Sequence, residues 1–153
     1  MSELSSIIDE LKRSFDGEAW HGPALMEVLD GIDARGAAAR PISHAHSIWE
    51  LVLHLAAWEK VITRRLQGHA TTLTDAENFG HIESTTEKTW QSALETLRQN
   101  HAELIKTVEA LPDSRLNDRV PGKDYDVRFM LHGAAQHAAY HGGQIAILKR
   151  IRR

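Results

Sequence analysis

LHGAAQHAAYHGGQIAILKR, residues 131–150, decides how this chain is read. With Met130 before it and Ile151 after it, the inward positions run Met130, Ala134, His137, His141, Ile145 (or Gln144), Leu148 and Ile151. Steps of three and four residues are the period of one face of an α-helix. Two positions on that face hold imidazole where leucine would pack. Residues four apart on a helix have Cβ atoms about 5–6 Å apart. His137 and His141 are therefore either hydrogen-bonded core histidines or a pair converging on one metal ion, with each nitrogen about 2.0–2.1 Å away if it is zinc.

The same period extends back through the chain. Ile7, Ile8, Leu11 and Phe15 define a first helix up to Gly17, and Leu25, Met26, Val28 and Leu29 a second piece ending at Gly31, with Pro23 in the favoured first-turn position. Together they read as one helix broken at DGEAWHGP. Ser47 and Glu50 in SIWE form a capping box that opens a helix carrying Ile48, Leu51, Val52, Leu55, Trp58, Ile62 and Leu66. STTE offers a second box at Ser84 and Glu87, followed by the stripe Trp90, Leu94, Leu97, His101, Leu104, Val108 and Leu111, which Pro112 stops. VPGKDYDV reads as a small extended turn before the last helix, which begins near Val127. The expected fold is an all-α four-helix bundle forming a single domain over residues 1–153. Its connections are longer than an up-down-up-down bundle needs, so at least one long crossover is expected.

Composition narrows the function. Of 153 residues, 42% are hydrophobic and 25% charged, with net charge −3, so no basic face for nucleic acid is advertised. The basic cluster Lys149, Arg150, Arg152 and Arg153 ends a helix, where it complements the helix dipole. No apolar run has the length of a membrane span, and Met1–Glu10 lacks the pattern of a signal peptide. Cysteine is absent, which excludes disulfides, thiolate ligands and a cysteine nucleophile and suits a cytoplasmic address. Histidine is abundant, at ten.

His54 lies beside the stripe of the second long helix, on the side of Leu51, Trp58 and Val61. Three imidazoles from two helices can thus meet inside the bundle. Three nitrogen ligands leave a coordination position open, the catalytic rather than the structural arrangement. Unpaired, three buried imidazoles would cost a few kcal/mol. His101 reads as a hydrogen-bonded core residue. The paired Glu-x-x-His motifs of a di-iron bundle are missing, as are H-E-x-x-H, a P-loop and G-x-S-x-G.

AHSIWELVLHLAAWEK (residues 45–60) and LHGAAQHAAYHGGQIAILKR resemble the DinB/YfiT-like superfamily of metal-binding four-helix bundles, which is unrelated to the DNA polymerase of the same name. GEAWHGPALMEVLDG (residues 17–31) and TTEKTW (residues 85–90) fit the same pattern, so the resemblance covers nearly the whole chain. Its specific part is H-x-x-x-H followed at once by G-x-Q-I.

The resemblance implies a metal, zinc or nickel, held by His54, His137 and His141, and a helix order that requires a long crossover. Many relatives carry an acidic residue after the first histidine of the pair; here it is Ala138. Some branches of the superfamily are thiol transferases and isomerases using bacillithiol, mycothiol or glutathione. Others are metal-dependent hydrolases. The resemblance therefore implies a metal-bound thiolate or water as nucleophile, and a low-molecular-weight thiol would be imported because the chain has no cysteine. The expected partners are a small-molecule substrate and a second copy of the chain, with neither nucleic acid nor membrane. The alternative is a non-catalytic metal-binding or dimerising bundle in a stress response. Glu50 can orient His54 or act as a base, against its role in the capping box. Gln144 can face the metal or serve packing, and Tyr140 is a hydroxyl donor near the pair. His44 and His46 would cap, meet solvent or line a pocket mouth. Trp20 and His21 would wall a substrate pocket, or Trp20 would simply pack.

Overall fold

The computed structural model describes residues 1–151; Arg152 and Arg153 lie outside the described residues. It is helical throughout, as the hydrophobic period requires. The long helices are α1 (Glu3–Asp16), α4 (Ile48–Leu66), α6 (Glu87–Glu109) and α7 (Val127–Ile151). Between them run three five-residue helices, α2 (Leu25–Leu29), α3 (Ala34–Ala38) and α5 (Asp75–Phe79), and a single 3-10 segment, Asp113–Asn117.

Contacts between the long helices fix the topology. Lys12 meets Glu109 and Phe15 meets His101, so α1 and α6 are antiparallel. Glu3 meets Arg128 and Glu10 meets His132, so α1 and α7 are parallel. Trp49 packs on Trp90, and Asn100 donates to the Ala56 carbonyl further along, so α4 and α6 are parallel as well. His54 faces His137 and His141, and α7 runs against α4. The order is up-down-down-up. Parallel neighbours cannot be joined by a tight turn, which explains the long polar stretch between α4 and α6.

Each long helix buries the stripe that its spacing announces. Leu4, Ile7, Leu11 and Phe15 of α1, and Trp90, Leu94, Leu97 and Leu104 of α6, are all buried. The apolar residues form two clusters, one around Trp49, Leu55, Trp90 and Ile145, the other around Leu11, Ile62, Leu104 and Leu131. On α7 the second cluster ends at Ala135 and the first begins at Ala138, with His137 between them. On α6, His101 falls in the corresponding gap between Leu97 and Leu104.

Several local expectations are corrected. Ser84 does not open α6; Thr86 does, in extended conformation, its hydroxyl accepting from the Thr89 N–H. The Glu87 carboxylate instead accepts the N–H of Ala34 at 2.8 Å and so secures the start of α3. Pro23 stands before the N-cap Ala24 rather than in the first turn, and the Glu27 carboxylate accepts the Ala24 N–H at 2.7 Å. Ile151 is 49% exposed and does not extend the inward seam. Leu111 lies beyond the end of α6 and is only partly buried. Trp20 is fully exposed and does not pack. The small extended turn is present, with Val120 N–H donating to the Tyr125 carbonyl and an isolated bridge from Arg119 to Asp126. Among the described residues no helix is long and apolar enough to cross a membrane.

Candidate metal centre

The helical register of α4 and α7 brings His54, His137 and His141 together at mid-bundle. His137 Nε2 lies 2.9 Å from His54 Nε2 and 3.0 Å from His141 Nε2. One ligand nitrogen from each ring falls within a common 4.8 Å, and among the described residues no carboxylate joins them. Two nitrogens bound about 2.1 Å from one ion sit about 3.0 Å apart at a right angle and about 3.4 Å apart at the tetrahedral angle. The two separations measured from His137 therefore suit a shared ion.

The outer ring nitrogens explain why the inner ones are ready. His54 Nδ1 donates to the Asn78 carbonyl at 2.8 Å, since a carbonyl only accepts. His141 Nδ1 donates to Gln144 Oε1 at 2.6 Å. A neutral imidazole carries one proton, so both rings aim an Nε2 lone pair at His137. A proton on His137 Nε2 would satisfy only one of them at a time. A cation facing all three lone pairs resolves the conflict, and the outer hydrogen bonds hold the rings as metal ligands require.

Electrostatics point the same way. Burial pushes His137 down to about 3, helped by the neighbouring His141 and His54. Burial also lowers His54 against the opposing pull of its bond to Asn78, and lowers His141 against its bond to Gln144. All three rings are neutral at pH 7, the form that ligates metal. The cluster can hold a metal ion.

Residues 19–145 match the sequence profile of the DinB superfamily. The chain belongs to the DinB superfamily. No curated protein and no solved structure gave a match.

Within this DinB site the remaining candidates separate. Gln144 is part of it, through His141. Tyr140 is 66% exposed, its ring 5.0 Å from that of His141, on the outer side of α7. Glu50 is not in the histidine group. One of its oxygens accepts the Ser47 N–H at 2.7 Å, while the other pairs with Arg40 and lies 3.8 Å from His46 Nδ1. Ala138 is buried in the hydrophobic cluster. His101 is buried against Glu59 at 3.4 Å and stacked on Phe15 at 3.7 Å, which is the core role its position suggested.

Two residues that matter here carried no expectation. Asn78 holds His54 through its carbonyl and Trp58 Nε1–H through its side chain, 2.9 Å away. Phe79 stacks between His54, 4.2 Å away, and His46, 3.6 Å away. Both lie on α5, which Thr74 and Glu77 open with a capping box. Gly80 ends α5 at φ +63, and a Cβ there would come within 3.0 Å of Leu53, so glycine both permits the turn and lets α5 sit close on α4. The local signal T-x-x-E was present in the sequence at Thr74.

Clefts flank the triad along α7. One of about 260 Å³ is lined by Trp58, Ile62, Arg65, Tyr125, Phe129 and Met130 and reaches His137. Another of about 360 Å³ includes His44, His46, Leu51, Gln144 and Leu148. The paired histidines of HAH thus line a pocket.

Proposed function

We propose that this DinB protein binds one divalent metal ion, zinc or nickel, through His54, His137 and His141, and acts as a thiol-dependent S-transferase. The observation that carries the reading is the pair of outer hydrogen bonds, to Asn78 and Gln144, that turn two Nε2 lone pairs onto a third imidazole. A divalent ion held by three neutral imidazoles supplies Lewis acidity, which lowers the pKa of a thiol or water that reaches it.

The chain's own residues do the rest. Asn78 and Gln144 fix the ligand rings, and burial between the two hydrophobic clusters keeps them neutral. Trp58, Phe129 and Met130 give the neighbouring cleft apolar walls that bind an apolar body and exclude water. The absence of a carboxylate in the histidine group favours an imported thiol over water, because water activation gains from a positioned base while a thiol is acidic enough to lose its proton to solvent. Neither Glu50 nor Ala138 provides such a base.

The test uses zinc- or nickel-loaded protein with glutathione or bacillithiol and an epoxide or aryl chloride, following loss of free thiol, with nitrophenyl esters assayed separately without thiol. Thiol-dependent turnover that disappears in a folded His141→Ala variant supports the reading. Ester hydrolysis without thiol, equally dependent on His141, would assign the site to hydrolysis instead. Turnover retained in His141→Ala would remove the histidine site from the chemistry.

A further inference from the structure

Arg65, in the last turn of α4, is 3% exposed, yet no carboxylate pairs with it among the described residues. Its Nε donates to the Thr71 carbonyl and its Nη1 to the Tyr125 hydroxyl oxygen, each at 3.0 Å. Its guanidinium carbon lies 5.5 Å over the Trp58 ring. Nη2 has no acceptor among the described residues. Yet the only buried side-chain polar atoms without a hydrogen bond among the described residues are His101 Nε2 and Arg115 Nε. Nη2 is therefore not sealed off from solvent, and Arg65 lines a cleft with Trp58, Tyr125 and His137.

A guanidinium buried without a counter-charge is unfavourable, and two neutral acceptors with one indole face offset that only in part. An anion in the cleft completes it. Tyr125 strengthens the case: its oxygen accepts from Arg65, so its own hydrogen remains free to donate to the same anion. Among the described residues Arg65 is the only lysine or arginine lining this cleft, which suits a monoanion, and the planar guanidinium edge matches a carboxylate. The other walls, Ile62, Phe129 and Met130, are apolar. Trp58 spans the distance to the metal centre, its ring 6.2 Å from that of His137.

We propose that Arg65 and Tyr125 form an anion subsite that binds the carboxylate of a small, apolar-bodied substrate, directing its other end toward His137. The direction toward His137 rests on the transferase reading above; the subsite itself does not.

The test is binding of phenylpropionate and phenylbutyrate, against their amides and inorganic phosphate, to chelator-treated full-length protein, by calorimetry and ligand-observed NMR. Removing metal ensures that no carboxylate binds through an ion. The acids are expected to bind about tenfold tighter than the amides, the difference expected of a hydrogen bond to a charged group. Arg65→Gln should equalise acid and amide, with thermal melting confirming the fold. Arg65→Lys keeps the charge without the fork and should reduce the preference without abolishing it. Acids binding no tighter than amides, phosphate binding as tightly as the acids, or an acid preference unchanged in Arg65→Gln or Arg65→Lys would each overturn the proposal. Because no metal is present, failure here leaves the metal site standing, and a metal-free native protein would leave the subsite standing.

Discussion

The Nδ1–H of His54 is donated to the main-chain carbonyl of Asn78, 2.8 Å away on the short helix α5. That single bond fixes the tautomer of a ring buried on α4 and leaves its Nε2 lone pair pointing at α7. His141 reaches the same state through Gln144, three residues along its own helix. Both rings are thus oriented by groups outside the three-histidine cluster.

Gln144→Leu removes the acceptor for His141 Nδ1 while keeping the side-chain size. Metal affinity should fall about 10–100-fold, the usual effect of losing such an outer partner. Competition against a chromophoric chelator measures it. Unchanged affinity would mean that His141 is held by other contacts.

Acid should destabilise the metal-free protein. Unfolded histidine titrates near about 6.5, whereas burial holds His137 down at about 3 in the folded chain and lowers His54 and His141 as well. Between those values the unfolded chain binds more protons, so stability falls as pH falls. Chelator-treated wild type should lose more melting temperature between about pH 7.5 and 5.5 than His137→Gln, which has one depressed histidine fewer. Equal losses would contradict the placement of His137.

Glu50→Ala separates capping from catalysis. Losing the bonds to the Ser47 N–H and to Arg40 should cost about 1 kcal/mol in urea unfolding. Metal content should stay at the wild-type level, because Glu50 is not in the histidine group. Loss of metal would place Glu50 in the site after all.

Much of this was readable from side-chain spacing. Ser47 with Glu50 marks the start of α4, and His137 with His141 marks the face of α7 that meets His54, because both patterns act within a turn or two of helix. The start of α6 is different: in ESTTE (residues 83–87) Ser84, Thr85 and Thr86 are all competent N-caps, and the choice falls to Thr86. The Glu87 carboxylate goes to Ala34, a partner 53 residues away that no local pattern can name. Asn78 was hidden for a related reason. Its contact with His54 is a backbone carbonyl, which any residue type offers, on a helix too short to show an apolar period.

Trp90→Phe tests the packing that holds these helices in place. The indole is fully buried and donates to the Ile32 carbonyl at 2.7 Å. Phenylalanine leaves that carbonyl unpaired and a small cavity beside Trp49, together about 2–4 kcal/mol in denaturant unfolding. A loss below about 1 kcal/mol would mean the connection carrying Ile32 relaxes freely.

The most direct measurement is elemental analysis of wild type and His137→Ala purified in parallel without metal-affinity chromatography. Wild type should carry about one equivalent of divalent metal per chain, as a single three-histidine site holds, and His137→Ala should lose it with the helical content unchanged. Metal-free wild type that gains no thermal stability from added zinc or nickel would contradict that expectation.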